Sequence, residues 1–524
     1  MKKYHTDEVR NIVILGDGAT GKTQLAEAML YTAKAINRLG LVDKGNTVCD
    51  FHKDEIDKKH SINLSVAFCE WGGKKINILD TPGFEDFIGE VKASVAVSEI
   101  IVVNICGVSG IEAGTIRKWN EAIQAQKPVI IFVNRMDKDN ANFQDVFKQI
   151  KEHLSIQAAP LTVPVGEGSE FKGVVDLTRN KAILDGQEQD IPEELKSAVS
   201  DYREKLIESV ASCDDSLIEQ YLEGNEITPE QMELGLKKGV LERKIIPVFA
   251  GSGLKTAGIA SLLDFLIRYT PSPLDIASGN KIEPSGPLRA LVFKTSSEPH
   301  MGDISYLKVY SGSLEPGRDI MNAEKKSGER INQVFYTRGK ERVEVQGIAA
   351  GDIGCVVKLK NTGTNDTLCD SKNIGTLEKI EFPPPVIEKA VYAKSKGDEE
   401  KVATAISSLI REDPTLTFGM NRETKEMILA GVGALQLDVM VARCRERFGG
   451  EIELRLPRIP YRETVHSNSE AQGKYKRQSG GRGQYGDCWI RLEPLERGKG
   501  FELSLIHISE PTRPLYISYA VFCL

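Results

Sequence analysis

The stretch NIVILGDGATGKT, residues 11–23, decides the fold. Its first five residues have the apolar, β-branched composition of a strand, and the glycine-rich loop that follows fits the pattern GxxxxGK[ST]. Such a loop leads from a strand into a helix, and its backbone N–H groups curl around phosphate oxygens at the helix N-terminus. Lys22 would reach the β- and γ-phosphates of a nucleotide, and Thr23 would bind Mg²⁺. The loop residues that we expect to contact the nucleotide are Asp17, Gly18, Ala19, Thr20, Gly21, Lys22 and Thr23.

Two further motifs follow later apolar runs. Asp80-Thr81-Pro82-Gly83 comes directly after the run 75–79, where Asp80 could hold the Mg²⁺ shell and the Gly83 N–H could contact the γ-phosphate. Asn134-Arg135-Met136-Asp137 comes at the end of the run 129–133. Asp137 can accept two hydrogen bonds from guanine N1 and N2, which adenine does not supply. A site built in this way strongly rejects adenine nucleotides.

A fourth motif would complete the base site. Ser252-Gly253-Leu254 follows the run 245–250 and would bring a backbone N–H to guanine O6. Taken alone, the glycine-rich loop could be a simple strand-to-helix turn, and a lone NxxD is commonly a capped turn. Four motifs in order, each at the C-terminal end of a strand, would place all ligands at one rim of a sheet. The sequence therefore predicts GTP and Mg²⁺ as ligands, with guanine contacts from Asn134, Arg135, Asp137, Ser252, Gly253 and Leu254.

Composition excludes several other classes. A chain of 524 residues is too long for one hydrophobic core and should form three to five domains. Its net charge of −7 argues against indiscriminate binding to naked nucleic acid. The nine cysteines form no CxxC pair, which argues against zinc and disulfides and indicates a reducing cytoplasm. We expect no membrane contact, because the longest apolar run, 100–106, is too short to cross a bilayer.

The order of strand-like and helix-like segments predicts a multidomain α/β protein. Alternating segments over residues 9–275 indicate a P-loop domain with a mostly parallel sheet, interrupted by an insert at 158–245. Within it, apolar residues at every second position of 62–68 predict a half-buried edge strand. Repeated glycine turns over 286–382 indicate a small β-barrel. An α+β domain is expected at 386–458, and a fourth unit would begin at 461 and extend to 502.

These motifs resemble the elongation factor G family of translational GTPases. Further matching stretches lie at 173–177, 221–224, 309–312, 412–415 and 477–486. The resemblance implies a GTPase domain with an inserted subdomain, a β-barrel second domain and ferredoxin-like domains after it. It also implies a monomer that binds rRNA and proteins at the factor site of the ribosome. There it would drive tRNA and mRNA movement or, with a partner, ribosome splitting.

Several positions depart from the family pattern. The Mg²⁺-binding switch threonine of the family falls on Ser61, which keeps a hydroxyl, and the aspartate of its phosphate loop falls on Ala19. The histidine that positions the attacking water falls on Phe84. Phenylalanine can neither orient a water nor accept its proton, and loss of such a group costs on the order of 10²- to 10⁴-fold in rate. We therefore expect Lys22, Asp80 and Gly83 to support hydrolysis that is slow or follows another route.

In the third domain, the glutamate and histidine that the family usually has fall on Ala434 and Gln436, which puts the usual ribosomal contacts of this domain in doubt.

The stretch 474–485 mixes cations, aromatic residues and glycines, a composition that can bind RNA phosphates and stack on bases. The resemblance favours rRNA contact, and the alternative is a solvated hairpin with a glycine turn. The candidate RNA-binding residues are Lys476, Arg477 and Arg482.

The last segment, 503–524, does not resemble natural coding sequence. A DNA string that resembles a sequencing-library adapter encodes residues 503–513 and 517–524, so we expect this segment to be a read-through artefact and the gene to continue beyond 502. A membrane anchor at 515–524 is the other interpretation.

Two other functions share the motifs. A GTP-dependent ribosome-binding protein that does not hydrolyse GTP, acting as a regulator or protection factor, would fit Phe84. A P-loop metabolic enzyme would need a site for a small-molecule acceptor, and the sequence shows no such site.

Overall fold

A computed structural model describes residues 4–276, 279–298, 302–395, 399–461, 463–478, 480, 481 and 483–504. The expected artefact at 503–524 lies outside the described residues from position 505 onward. None of the described helices is both long and apolar enough to cross a membrane.

The N-terminal domain contains eleven strands among its described residues. They are β1 Val9–Leu15, β2 Ser65–Trp71, β3 Lys74–Asp80, β4 Ile100–Cys106, β5 Val129–Asn134, β6 Ala158–Pro160, β7 Thr162–Val165, β8 Gly173–Asp176, β9 Lys181–Leu184, β10 Gln187–Gln189 and β11 Ile246–Ala250. The helices are α1 Lys22–Thr32, α2 Lys53–Lys58, α3 Ile88–Val97, α4 Ala113–Gln124, α5 Phe143–Gln149, α6 Lys196–Ala211, α7 Asp215–Leu222, α8 Pro229–Leu241 and α9 Ile259–Tyr269.

Seven of these strands form one sheet in the order β2-β3-β1-β4-β5-β11-β6. All neighbours pair in parallel except β2, which runs antiparallel to β3 at the edge. The central strands β1, β4 and β5 are buried along their whole length, because connecting helices cover the sheet. The predicted mostly parallel α/β sheet is therefore confirmed.

Strand β2 differs from its prediction in its start, which is Ser65 rather than residue 62, and in its burial. It lies at the sheet edge as expected, but its first five residues, 65–69, are all buried rather than alternately exposed. Ala67 and Cys69, which alternation had assigned to solvent, are buried in the main hydrophobic core. Phe68, on the opposite face, packs against Tyr336 of the next domain with ring centroids 5.6 Å apart, and the Gly339 N–H donates to the Val66 carbonyl at 3.0 Å. Both faces of this edge strand are therefore covered.

The insert carries a sheet of its own, ordered β10-β9-β8-β7, together with α6, α7 and α8. Its predicted start at residue 158 falls on β6, which pairs with β11 in the main sheet. The separate sheet therefore begins at β7, four residues later than the prediction.

The second domain is entirely β-structured in its described residues. Its strands are β12 Arg289–Glu298, β13 Gly302–Ser311, β14 Ser313–Leu314, β15 Asp319–Asn322, β16 Ser327–Arg330, β17 Val334–Arg338, β18 Glu341–Val345, β19 Ile348–Ala349, β20 Ile353–Val357 and β21 Thr367–Cys369. Eight of them form an antiparallel sheet in the order β16-β15-β21-β12-β13-β20-β17-β18, and β14 pairs with β19. The β-rich second domain is as predicted.

The third domain has the order β-α-β-β-α-β. Its elements are β22 Ile387–Ala393, α10 Glu399–Ile410, β23 Thr417–Met420, β24 Met427–Gly431, α11 Ala434–Phe448 and β25 Ile452–Arg455. The sheet runs β23-β24-β22-β25 and is antiparallel throughout. This is the ferredoxin-like arrangement that the family resemblance implied.

These three domains form one compact unit, and a second unit comprises residues 421–426 and the chain from Pro457 onward. The described part of the second unit contains a hairpin of β26 Ser469–Gln478 and β27 Gly483–Leu492, with every described residue of both strands exposed. Lys476 faces Tyr485 and Arg477 faces Gln484 across the pair. Arg482 lies outside the described residues. An exposed hairpin is compatible with both interpretations of this stretch, so RNA contact stays a prediction.

Candidate nucleotide site

A cavity of about 450 Å³ opens where β1, β3 and β5 end. This is the rim at which ligands of open parallel sheets bind. It brings together twelve of the sequence-predicted residues, namely Gly18, Ala19, Gly21, Lys22, Thr23, Ser61, Gly83, Phe84, Asn134, Arg135, Asp137 and Leu254. Five others do not line it: Asp80 is the last residue of β3, and Asp17, Thr20, Ser252 and Gly253 lie in the loops that follow β1 and β11.

The phosphate loop is held from two sides. The Asn104 side chain, in β4, donates to the Thr20 carbonyl at 2.9 Å, and the Thr81 hydroxyl donates to the Ile14 carbonyl at 2.6 Å. Gly21 caps α1 with φ 92°, a left-handed conformation that glycine adopts without strain. These contacts present the N-terminus of α1 to the cavity, where a phosphate is favoured.

Lys22 lies in the centre of this loop. Its ammonium donates to the Asp17 carbonyl at 2.8 Å, and burial lowers its pKa although Asp80 and Asp17 counteract this. A Cβ added to Gly83 would lie 2.7 Å from the Lys22 ammonium and from the Gly18 backbone nitrogen. Only glycine at position 83 therefore lets the chain after β3 approach the loop so closely.

The residues predicted to hold Mg²⁺ converge beside Lys22. The hydroxyls of Thr23 and Ser61 are 3.0 Å apart, and both side chains are buried. Both carboxylate oxygens of Asp80 are buried and accept no hydrogen bond within the described part of the chain. Burial, aided by the charge of Asp50, raises the pKa of Asp80 well above its usual range. A bound cation would keep this carboxylate ionised, so the donor set fits Mg²⁺.

No set of three or more His, Cys, Asp and Glu residues suited to a metal ion occurs among the described residues. Two hydroxyls and a single carboxylate are nevertheless what Mg²⁺ needs when phosphates and waters supply the rest of its shell. The metal and the triphosphate would thus bind together.

The base end of the cavity is built around Asn134. Its amide donates to the Gly21 carbonyl at 3.1 Å, and its carbonyl oxygen accepts from the Gly253 N–H at 2.9 Å. The Ser252 hydroxyl donates to the Asp137 carboxylate at 2.5 Å and so orients it. The Arg135 side chain crosses Gly21, where an added Cβ would lie 3.5 Å from Nε. One asparagine therefore joins the phosphate loop to both segments of the base site.

Eight of the cavity residues were not anticipated from the sequence, and two of them, Asp50 and His60, lie near the predicted metal and phosphate groups. Asp50 is buried, and burial raises its pKa. His60 packs edge-on against Phe84, with ring centroids 4.8 Å apart and planes at 63°. Phe84 is 40% exposed, and its ring also lies against Gly18, where an added Cβ would be 3.5 Å from Cζ. Asp50 and His60 lie outside helices and strands, so no periodic sequence pattern indicated that they would line the cavity.

The loops around the cavity also contact the third domain. Arg443, in α11, pairs with Asp54 at 2.8 Å and donates to Asn63 at 3.0 Å, on the two sides of Ser61. The Leu435 N–H, at the start of the same helix, donates to the Asp86 carboxylate at 2.9 Å. The helix α11 therefore touches both the segment before β2 and the segment after β3.

Gln436 has a structural role in this domain. It is buried, and its amide donates to Asp413 and to Thr415 at 2.7 Å each, while its oxygen accepts from the Val432 N–H at 2.8 Å. Contacts inside the third domain therefore explain why a glutamine fits at this position.

Comparison with known proteins agrees with this architecture. Residues 7–272 match the Elongation factor Tu GTP binding domain. Residues 287–371 match Elongation factor G domain 2, residues 382–456 match Elongation Factor G domain III, and residues 457–505 match Elongation factor G domain IV. The chain belongs to the elongation factor G family. It is a translational GTPase, and the resemblance seen in its motifs is confirmed.

A solved structure extends the comparison. The crystal structure of a protein from Thermus thermophilus superposes with a TM-score of 0.85 at 30% sequence identity. The match covers 94% of this chain and 74% of the other. The elongation factor G fold is thus shared across the domains described above.

Proposed function

We propose that this elongation factor G family member binds GTP with Mg²⁺ in the cavity. In that state it would engage the factor site of the ribosome in the cytoplasm, as a monomer, and promote tRNA–mRNA movement or ribosome disassembly. The observation that carries the proposal is the convergence of Lys22, Thr23, Ser61 and Asp137 on one cavity, together with the buried Asp80 carboxylate, whose oxygens accept no hydrogen bond from the described residues.

Each group has a role in this proposal. Lys22 and the Gly83 N–H bind the β- and γ-phosphate oxygens, and Asp137 accepts from guanine N1 and N2. Thr23, Ser61 and Asp80 would hold Mg²⁺, which when bound would neutralise charge on the phosphates. The Arg135 stem covers the base, and the turn 252–254 offers a backbone N–H to guanine O6.

The third domain would sense the nucleotide. Ser61 would hold the metal together with the γ-phosphate, so GTP would order the segment 54–63 and GDP would release it. Arg443 contacts that segment at Asp54 and Asn63. A change in the segment therefore alters the position of α11, and this links nucleotide state to ribosome binding.

Hydrolysis is proposed to be slow or to follow another route, because Phe84 provides no hydrogen-bonding group for the attacking water. In the same place a histidine would contribute on the order of 10²- to 10⁴-fold in rate.

The test uses the purified chain and ribosomes. We expect retention of GTP but not ATP, and co-sedimentation with ribosomes in the presence of a non-hydrolysable GTP analogue but not of GDP. Equal retention of ATP, or sedimentation that ignores the nucleotide, would reject the proposal.

A second function is favoured by Phe84 alone. A factor that binds GTP and the ribosome without turnover would act as a regulator or protection factor. Phosphate release over many cycles with ribosomes supports the first function, and stoichiometric GTP binding with no release supports the second.

A further inference from the structure

His60 supplies an imidazole beside the position from which one is missing. Its ring contacts Phe84 edge-on at 4.8 Å between centroids, and both residues line the nucleotide cavity. His60 directly precedes Ser61, whose hydroxyl meets that of Thr23 at 3.0 Å. The imidazole therefore lies next to the residues proposed to hold the metal and the γ-phosphate.

The ring is oriented by the backbone. Its Nδ1 lies 3.2 Å from the carbonyl oxygen of Ser61. A carbonyl oxygen can only accept, so Nδ1 carries the proton in this contact. In the neutral ring Nε2 is then a hydrogen-bond acceptor. An acceptor nitrogen on an oriented ring is the group that a water-positioning residue needs.

Phe84 fixes the same ring from the other side. Its phenyl group is held between His60 and Gly18 of the phosphate loop, where an added Cβ would be 3.5 Å from Cζ. Gly83, the residue before Phe84, lies so close to the phosphate loop that an added Cβ would be 2.7 Å from the Lys22 ammonium. The aromatic residue at position 84 thus works as a support for an imidazole that comes from position 60.

We propose that His60 positions the attacking water in GTP hydrolysis, in place of a histidine at position 84. This inference rests on the proposed function, because it needs GTP in the cavity. Nε2 accepts a hydrogen bond from the water, and the water oxygen forms a bond to the γ-phosphorus. The bond from the γ-phosphorus to the β–γ bridging oxygen breaks, and its electron pair stays on GDP. The proton that the water loses goes to a γ-phosphate oxygen and leaves with inorganic phosphate.

The experiment compares five variants with the wild-type chain: His60→Ala, His60→Gln, Phe84→His, the double variant His60→Ala/Phe84→His, and His153→Ala as a matched control. His153 is an exposed histidine of the same domain. Three quantities are measured: single-turnover hydrolysis with ribosomes at saturating GTP, affinity for a fluorescent GTP analogue, and affinity for GDP with aluminium fluoride. The last complex mimics the transition state and binds tightly only where water and phosphate are positioned.

We expect His60→Ala to lower the hydrolysis rate by about 10²-fold or more. The affinity for GDP with aluminium fluoride should fall. The affinity for the GTP analogue should change by less than about threefold, because the lost interaction is made only in the transition state. His60→Gln, which can still accept a hydrogen bond, should keep part of the rate. His153→Ala should match the wild-type chain.

The double variant separates positioning from structure. If His60 acts on the water, an imidazole at position 84 restores hydrolysis to the His60→Ala background. An unchanged rate in His60→Ala overturns the inference, and so does a loss that Phe84→His does not restore. A wild-type chain that binds GTP but never hydrolyses it also overturns this inference, while the GTP-dependent ribosome-binding function survives. Failure of the wild-type chain to bind GTP overturns the proposed function itself.

Discussion

Lys75 and Asp352 form an ion pair of 2.8 Å in which both side chains are almost completely buried. The pair joins β3 of the nucleotide-binding sheet to the residue before β20 of the second domain. Asn77 also donates to Asp352 at 2.8 Å, and the Lys75 ammonium lies 3.1 Å from the ring centroid of Tyr336. Burial lowers the pKa of Lys75 to about 8, although Asp352 counteracts this. A buried polar network therefore holds the first two domains together.

Removal of one partner should be costly. Asp352→Ala leaves the Lys75 charge buried without its partner, so we expect a loss of about 3–5 kcal/mol in the free energy of unfolding. The measurement is urea denaturation followed by far-UV circular dichroism. As the control, Asp319→Ala removes an exposed partner of Arg330 and should cost less than about 1 kcal/mol. Equal effects of the two variants would contradict a structural role for the buried pair.

Base specificity should depend on Asp137. Asp137→Asn replaces the two carboxylate oxygens that accept from guanine by an amide. The amide can donate to the 2-oxo group of xanthine but cannot accept from both guanine N1 and N2. We expect GTP affinity to fall by on the order of 10²-fold or more and XTP affinity to rise. Equilibrium titration with both nucleotides measures this. Asp139→Asn is the control, because Asp139 is exposed and does not line the cavity.

An imidazole at position 84 should accelerate turnover. Phe84→His places an imidazole where the family has its histidine, so we expect ribosome-stimulated phosphate release to rise tenfold or more, within the usual range for such groups. The assay is phosphate release over time with purified ribosomes. Phe84→Leu, which keeps an apolar side chain, should bring no gain. A fast wild-type chain that Phe84→His does not improve would show that hydrolysis is not slow here.

The contribution of His52 to stability should fall in mild acid. Burial and the nearby Arg443 charge lower the pKa of His52 to about 3, against about 6.5 when unfolded. Between these values the unfolded state binds more protons at His52, so this contribution falls as the pH drops below about 6.5. From pH 7 to pH 5 we expect His52 to cost about 2 kcal/mol.

The comparison of His52→Gln with the wild-type chain measures this term. The variant should lose less stability than the wild type between pH 7 and pH 5. Glu55 acts in the opposite direction, because burial raises its pKa to about 7 and its folded state binds more protons above pH 4.5. Glu55 is present in both chains and cancels in the difference. Identical pH dependence in the two chains would show that His52 is not buried in its neutral form.

The arrangement of the nucleotide site followed from the sequence to a large degree. Glycine at position 83, the lysine at 22 and the aspartate at 137 are required by local geometry and by the chemistry of phosphate and guanine, so their order along the chain predicted their meeting at one rim. The all-parallel core also followed, because strands such as 129–133 are apolar along their whole length. The burial of both faces of the edge strand β2 did not, since Ala67 and Cys69 lie in the main core and Phe68 is covered by Tyr336, which is distant in sequence.

The sequence by itself determined the domain order, the guanine nucleotide motifs and the absence of a histidine at position 84, because these depend on residue type and spacing over short segments. Only the tertiary structure showed that His60 lies against Phe84, that Asp50 lines the same cavity and that Arg443 contacts the segment around Ser61. These relationships join irregular segments and separate domains. Their geometry is set by packing between distant parts of the chain, and no local periodicity records it.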